Sequence, residues 1–269
     1  LADMHGGQPN TGVANTFGFG NLPDYGVPNV MTADGPAGLR IAPECEIFTT
    51  AWPCATMLAA TWNPQLVKEV GRAGAMEVKE NNISVWLTPA MNIHRSPLCG
   101  RNFEYYSEDP VLTGTMAAAM VEGIQSQNIA ATVKHFACNN KETNRKNSDS
   151  RVSERALREI YLKGFEICVK QAQPWALMTS YNLINGHRAS ECKDLLEGIL
   201  RGEWGYQGVI TTDWWTKGEH YKEAAAGNDI KMGAGYPERV LAALDQGLIT
   251  KEDIKACARR VLELILKLD

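Results

Sequence analysis

The stretch "IAATVKHF", residues 129–136, decides how this chain is read. Its apolar residues run almost without a break and end on Lys134 and His135. A strand with one wet face alternates apolar and polar residues, whereas a strand covered on both faces, as in a parallel sheet, does not. Working outward, similar runs recur at "PNVMTAD" (28–34), "CATMLAA" (54–60), "ISVWLTP" (83–89), "WALMTSYN" (175–182), "GVITTDW" (208–214) and "DIKMG" (229–233). Each is expected to be a strand.

Helical patterns with recognisable starts lie between most of these runs. Asn63-Pro64 supplies an N-cap and an N1 proline, with Leu66, Val67, Val70 and Ala73 on one face. Asp109-Pro110 repeats that signature. Ser153 opens a stripe of Leu157, Ile160, Tyr161, Phe165, Cys168 and Val169. Thr250 and Asp253 read as a capping-box variant ahead of Ile254, Ala258, Val261, Leu262, Ile265 and Leu268.

Strand and helix in alternation argue for an α/β fold with a parallel sheet. Seven strand candidates approach the eight of a (β/α)8 TIM-type barrel, which the length of 269 residues suits. The barrel is expected to be distorted or incomplete at its N-terminal strand and helix. Residues 35–53 join two strands without a helical pattern, and residues 1–27, rich in Gly, Asn and Pro, read largely as loop. "GFG" at 18–20 reads as a turn. Residues 1–269 are read as a single domain.

A formal net charge of −4 gives no electrostatic reason to expect nucleic acid or an anionic membrane as partner. No window approaches the roughly 18 apolar residues of a membrane span. No signal peptide is visible at Leu1. Seven cysteines, an odd number without C-x-x-C, point to reduced structural thiols and a cytoplasmic setting.

Residues with chemistry gather at the carboxyl ends of the strand candidates: Asp34, Lys134, His135, Tyr181 and Asp213. In a barrel those ends converge on the face where active sites form. Asp213 has two readings. It is a nucleophile on the floor of a site, or an N-cap for a helix beginning near Lys217, worth about 1 kcal/mol. An ionised carboxylate buried there needs cationic or hydrogen-bonding partners, and Arg101, Lys134 and Arg145 are available. The dispersed histidines lack metal-ligand spacing, so neither metal nor cofactor is expected. No G-x-S-x-G elbow supports a serine triad. Trp214 reads equally as core or as a platform for a sugar ring.

Five motifs occur in order: "MTADGPAGLR" (31–40), "GRNFEYYSEDP" (100–110), "KHFACNNKETNR" (134–145), "LMTSYNLING" (177–186) and "GVITTDWW" (208–215). In these the chain resembles the barrel domain of glycoside hydrolase family 3, in its β-glucosidase branch. The resemblance implies a retaining hydrolase of β-D-glucosides or cello-oligosaccharides, working through a covalent glycosyl-enzyme on Asp213. It implies that Asp34 grips hydroxyls at the far side of the ring and that Arg101, Lys134 and His135 hydrogen-bond the sugar. Arg145, Tyr181 and Trp214 would line the same subsite, with Met178 nearby, and Glu104 and Glu108 would support Arg101. Neighbouring Arg and Lys charges are expected to lower the pKa of Asp213.

The residues after Phe136 lack the second histidine of the family's β-N-acetylglucosaminidase branch. In the β-glucosidase branch the acid/base is a glutamate on an α/β sandwich domain, and none is recognised up to Asp269. The expectation is that a domain outside this chain supplies it, and that the isolated chain is weak or inactive. Two alternatives stand beside this reading: a non-catalytic carbohydrate-binding barrel, and a β-xylosidase of the same family, against which "DGP" argues.

Overall fold

The computed structural model describes residues 17–233 and 235–268. Its strands, in chain order, are β1 (Phe17–Leu22), β2 (Val27–Ala33), β3 (Val85–Trp86), β4 (Ala130–Phe136), β5 (Asp149–Ser150), β6 (Ala176–Thr179), β7 (Leu183–Ile184), β8 (His187–Arg188) and β9 (Val209–Thr211). Six form the main sheet in the order β1-β2-β3-β4-β6-β9, while β5, β7 and β8 form a small second sheet. Within the main sheet every pairing from β2 onward is parallel, and a parallel bridge from Thr211 to Ile230 carries the sheet into "DIKMG".

The helices are α1 (Ala55–Ala60), α2 (Pro64–Glu80), α3 (Pro110–Gln125), α4 (Glu154–Ala156), α5 (Lys163–Ala172), α6 (His220–Ala225), α7 (Pro237–Asp245) and α8 (Lys251–Leu268). A π-helical turn links α4 to α5, and a longer π-helical segment, Asp194–Glu203, precedes β9. The expected starts carry the expected bonds. Asn63 accepts from the Leu66 N–H at 3.1 Å, and Asp109 accepts from Val111 and Leu112 at 2.7 and 2.9 Å. Ser153 accepts from Ala156 at 3.2 Å, and Thr250 and Asp253 bond each other reciprocally.

The sheet is covered on both faces, as the unbroken apolar runs imply. All seven residues of β4 are buried. Leu177 of β6 packs with the outer helices, while its neighbour Met178 packs inward with Phe19, Val85, Val209 and residues of α8.

Several readings are corrected. "CATMLAA" is α1, not a strand: it is rich in alanine, the best helix former, and Ala55, Leu58 and Ala59 bury one helical face. "GFG" is not a turn but part of β1, which pairs antiparallel with β2. Bare glycine serves close pairing there, since a Cβ on Gly20 would stand 2.4 Å from the Pro28 carbonyl oxygen. Of the segment read as loop, 17–22 is therefore strand, and 1–16 lies outside the described residues. That antiparallel strand is the barrel's irregular N-terminal edge. Two helix stripes are also rotated. In α2, Val67, Gly71, Gly74, Ala75 and Val78 face inward while Leu66 is exposed, and in α8, Cys257 and Leu264 join Val261 and Ile265 in place of Leu262.

Among the described residues no helix is long and apolar enough to cross a membrane, and no group of His, Cys, Asp and Glu could hold a metal ion.

Candidate active site

A cavity of about 440 Å³ opens at the carboxyl ends of the parallel strands. All nine residues singled out from the sequence line it: Asp34, Arg101, Lys134, His135, Arg145, Met178, Tyr181, Asp213 and Trp214.

Asp34 ends β2 and is engaged on both oxygens. Oδ1 accepts from Lys134 Nζ at 2.6 Å and from the Gly35 N–H at 2.8 Å, and Oδ2 accepts from Arg40 Nη2 at 2.7 Å. Arg40 returns to Asp34 through a tight turn closed by its own N–H on the Asp34 carbonyl at 2.9 Å. The turn requires glycine at 35, where φ is +121° and a Cβ would stand 1.8 Å from the Gly38 carbonyl oxygen. Burial pushes the Asp34 carboxyl up, but the charge and hydrogen bond of Lys134, with help from Arg40 and Gly35, hold it down at about 2.

Lys134 and His135 are adjacent on β4, yet both side chains reach the cavity. The pairing of β4 with β6 is irregular between Lys134 and Phe136, and a bulge of this kind re-aims side chains that would otherwise alternate. Asn92 fixes this backbone by accepting from the His135 N–H at 3.0 Å and donating to its carbonyl at 2.9 Å. The imidazole is 2% exposed. Burial, then the charges of Arg101, Lys134 and Arg145, hold its pKa well below the usual histidine value, so it is neutral.

Asp213 follows β9 and is buried. Its Oδ1 accepts from the Trp214 N–H at 2.7 Å, while the enclosed Oδ2 makes no hydrogen bond among the described residues. His135 Nε2 stands 3.7 Å from Oδ2, too far for a hydrogen bond. The capping reading fails: α6 begins at His220 with Glu219 at its N-cap. The expectation of a lowered pKa is also corrected. Burial raises it by more than the Trp214 N–H, Arg101, Lys134 and Tyr181 lower it.

The walls are built from paired charges. The Arg101 guanidinium bonds Glu104, which is buried beneath it, and is held firmly in its charged form. Glu108 takes no part: it is exposed and lines a separate groove with His94 and Arg95. Arg145 donates to Glu142 at 3.0 Å and lies 4.8 Å from the centre of the Tyr181 ring. The Tyr181 hydroxyl donates to the Trp214 carbonyl at 2.7 Å. Burial keeps that phenol neutral by raising its pKa.

Sequence reasoning missed Arg40, Phe103 and Trp215, which also line the cavity. For Arg40 the signal was present, since the glycines at 35 and 38 make "DGPAGLR" a chain reversal. Trp215 shares its composition with Trp214, and only its left-handed φ of 52° sends it toward solvent, 55% exposed.

The Glycosyl hydrolase family 3 N terminal domain matches this chain over residues 23–264. Beta-glucosidase A of Butyrivibrio fibrisolvens is 65% identical over 95% of this chain and 31% of its own length. An exo-alpha-(1->6)-L-arabinopyranosidase of Bifidobacterium longum is 42% identical over 90% of this chain and 33% of its own. The solved structure of beta-glucosidase 3B from Thermotoga neapolitana in complex with glucose superposes with a TM-score of 0.89 at 47% identity, covering 93% of this chain and 37% of that one. The chain thus spans about a third of the length of the relatives it matches. With a curled parallel sheet, a cavity at its carboxyl ends and a family match across nearly all its length, the chain belongs to glycosyl hydrolase family 3, as that family's N-terminal barrel domain.

Proposed function

We propose that this chain is the nucleophile-bearing barrel of a retaining glycosidase acting on β-D-glucosides. The observation that carries the proposal is the Asp213 carboxylate. The carboxylate lines the cavity, with one oxygen anchored by a backbone N–H and the other enclosed beside it without a hydrogen bond among the described residues. An unpaired buried carboxylate oxygen is costly and has little structural use. A carboxylate so placed suits attack on an anomeric carbon, forming an ester to Asp213 while the glycosidic bond breaks and the leaving oxygen takes a proton; water then hydrolyses the ester.

The remaining residues divide the work of holding the sugar. Asp34, kept ionised by Lys134 and Arg40, accepts from ring hydroxyls. Arg101, Lys134 and neutral His135 offer donors, and Trp214 with Tyr181 form an aromatic wall. The glucose complex of the Thermotoga neapolitana relative supports a sugar in this cavity.

The proton donor is a different group. Among the described residues three carboxylates line the cavity, and apart from Asp213 these are Asp34 and Glu104, both tied to cations. A carboxyl held at about 2 is ionised throughout the working range and donates no proton to a leaving group. In line with what the family resemblance implies, we assign the acid/base to a second domain, an α/β sandwich.

The test is mass spectrometry after incubation with a 2-deoxy-2-fluoro-β-glucoside bearing an activated leaving group, which needs no acid. The expected result is one covalent glycosyl group on the peptide containing Asp213. Label on any other residue sinks the assignment. The corresponding α-L-arabinopyranoside, suggested by the Bifidobacterium longum relative, is expected to react more slowly.

A further inference from the structure

Three residues past Asp213 the chain meets a buried ion pair that the chemistry above does not use. Glu223 on α6 is fully buried, and Lys231, just past the Thr211–Ile230 bridge, is 3% exposed. Glu223 Oε1 accepts from the hydroxyls of Ser190 and Thr216, each at 2.7 Å. Besides Glu223, Lys231 Nζ donates to Thr216 Oγ1 at 2.9 Å and to the Gly218 carbonyl at 3.0 Å. The pair therefore grips the loop after β9 at two points.

A buried ion pair is a poor source of stability, because desolvating both charges offsets most of their attraction and apolar residues fill the same space as well. Apolar residues would not, however, hold a loop hydroxyl and a loop carbonyl. The Thr216 hydroxyl donates a hydrogen bond to Glu223 and accepts one from Lys231, so a single side chain couples the loop to both charges. The segment before it is already held from the cavity side, by Tyr181 on the Trp214 carbonyl and by the Trp215 N–H on the Met232 carbonyl at 3.1 Å.

We infer that Glu223 and Lys231 are positioning residues that, through Thr216, hold the segment 213–216 so that the Asp213 carboxylate and the Trp214 ring line the cavity. The inference deepens the nucleophile reading of Asp213 and rests on it for its consequence in catalysis. A misplacement of about 1 Å at a reacting group is enough to cost on the order of a hundredfold in rate, so a tether three residues away has room to matter.

The test uses Thr216→Val, which deletes the hydroxyl, leaves the ion pair intact and keeps the side-chain volume. Hydrogen–deuterium exchange is expected to quicken in peptides covering residues 212–219 and to stay at the wild-type level elsewhere. In the fluoroglucoside reaction the first-order constant for labelling Asp213 is expected to fall by about tenfold or more, with the half-saturating concentration changing by less than about threefold. Thr216→Ser restores the hydroxyl and is expected to restore both readouts. The double variant Glu223→Leu with Lys231→Met removes both charges together and is expected to give the same loss of labelling while melting close to the wild type. Wild-type exchange and labelling in Thr216→Val, or no rescue by serine, would overturn the inference. If the wild type carries no label on Asp213, the nucleophile reading fails, and the exchange measurement decides the positioning role without it.

Discussion

Asp34 and Asp213 are the same residue type in the same cavity, each at the carboxyl end of a parallel strand, and their environments are opposite. Asp34 has both oxygens occupied by cations and a backbone N–H, and is held at about 2. Asp213 has one oxygen bonded and one unpartnered, and burial raises its pKa. Saturated with donors, a carboxylate is a fixed acceptor with little tendency to attack. Left half bare, it costs the fold free energy and keeps a lone pair available. Roles in such a site follow from the number of partners rather than from residue type.

The sharpest way to break this contrast is to neutralise each carboxylate in turn. Asp213→Asn is expected to lower the rate of fluoroglucoside labelling by about 10⁴-fold or more, because the attacking oxygen is gone. The same variant is expected to melt at or above the wild-type temperature, since the ionised form of a carboxyl with a raised pKa is disfavoured in the folded state. Labelling at the wild-type rate would end the comparison. Asp34→Asn acts the other way. It strands the Lys134 ammonium, 2% exposed, without its carboxylate, and because Asp34 is itself 30% exposed the cost is expected to fall below the roughly 3–5 kcal/mol of a fully buried pair. A melting curve for Asp34→Asn that matches the wild type would show that Lys134 is not dependent on it.

A pH series sharpens the contrast further. Labelling needs ionised Asp213 and is expected to fall as pH drops through its raised pKa. Glucose binding, measured by calorimetry, needs ionised Asp34, and is expected to persist below the pH where labelling is lost. The stability contributed by Asp34 follows the rule for a depressed carboxyl: present above its unfolded value near 4, it is lost as pH falls through about 2. Coincident loss of binding and labelling would mean that the two carboxylates titrate as one unit. The smallest effect is expected from Arg40→Gln. Its side chain is 62% exposed, so the pair with Asp34 contributes less than about 1 kcal/mol, and Asp34 should titrate only slightly higher.

Much of the fold was legible because its signals are local. Unbroken apolar runs mark strands covered twice, and Asn63, Asp109, Ser153 and Thr250 announce helix starts through bonds made within three residues. The misreadings share one cause. "CATMLAA" is as apolar as a buried strand, and only its packing makes it α1. "GFG" looks like a turn because glycine permits turns, but glycine also permits the close pairing of β1 with β2. The resemblance implies both Glu104 and Glu108 as supports for Arg101, whereas the short helical turn at Asn102–Glu104 brings Glu104 under the guanidinium and leaves Glu108 outside.

By itself the sequence determined the α/β alternation, the helix caps, the family and the nine side chains that meet in one cavity. Those depend on local spacing and on ordered motifs, which survive without coordinates. Only the tertiary structure decided how charge is distributed among them. Lys134 lies a hundred positions from Asp34 yet satisfies it, Arg40 doubles that pairing through a glycine turn, and Asp213 is left half unpaired with burial outweighing every nearby cation. Protonation depends on distance and on water excluded, and a linear order of residues specifies neither.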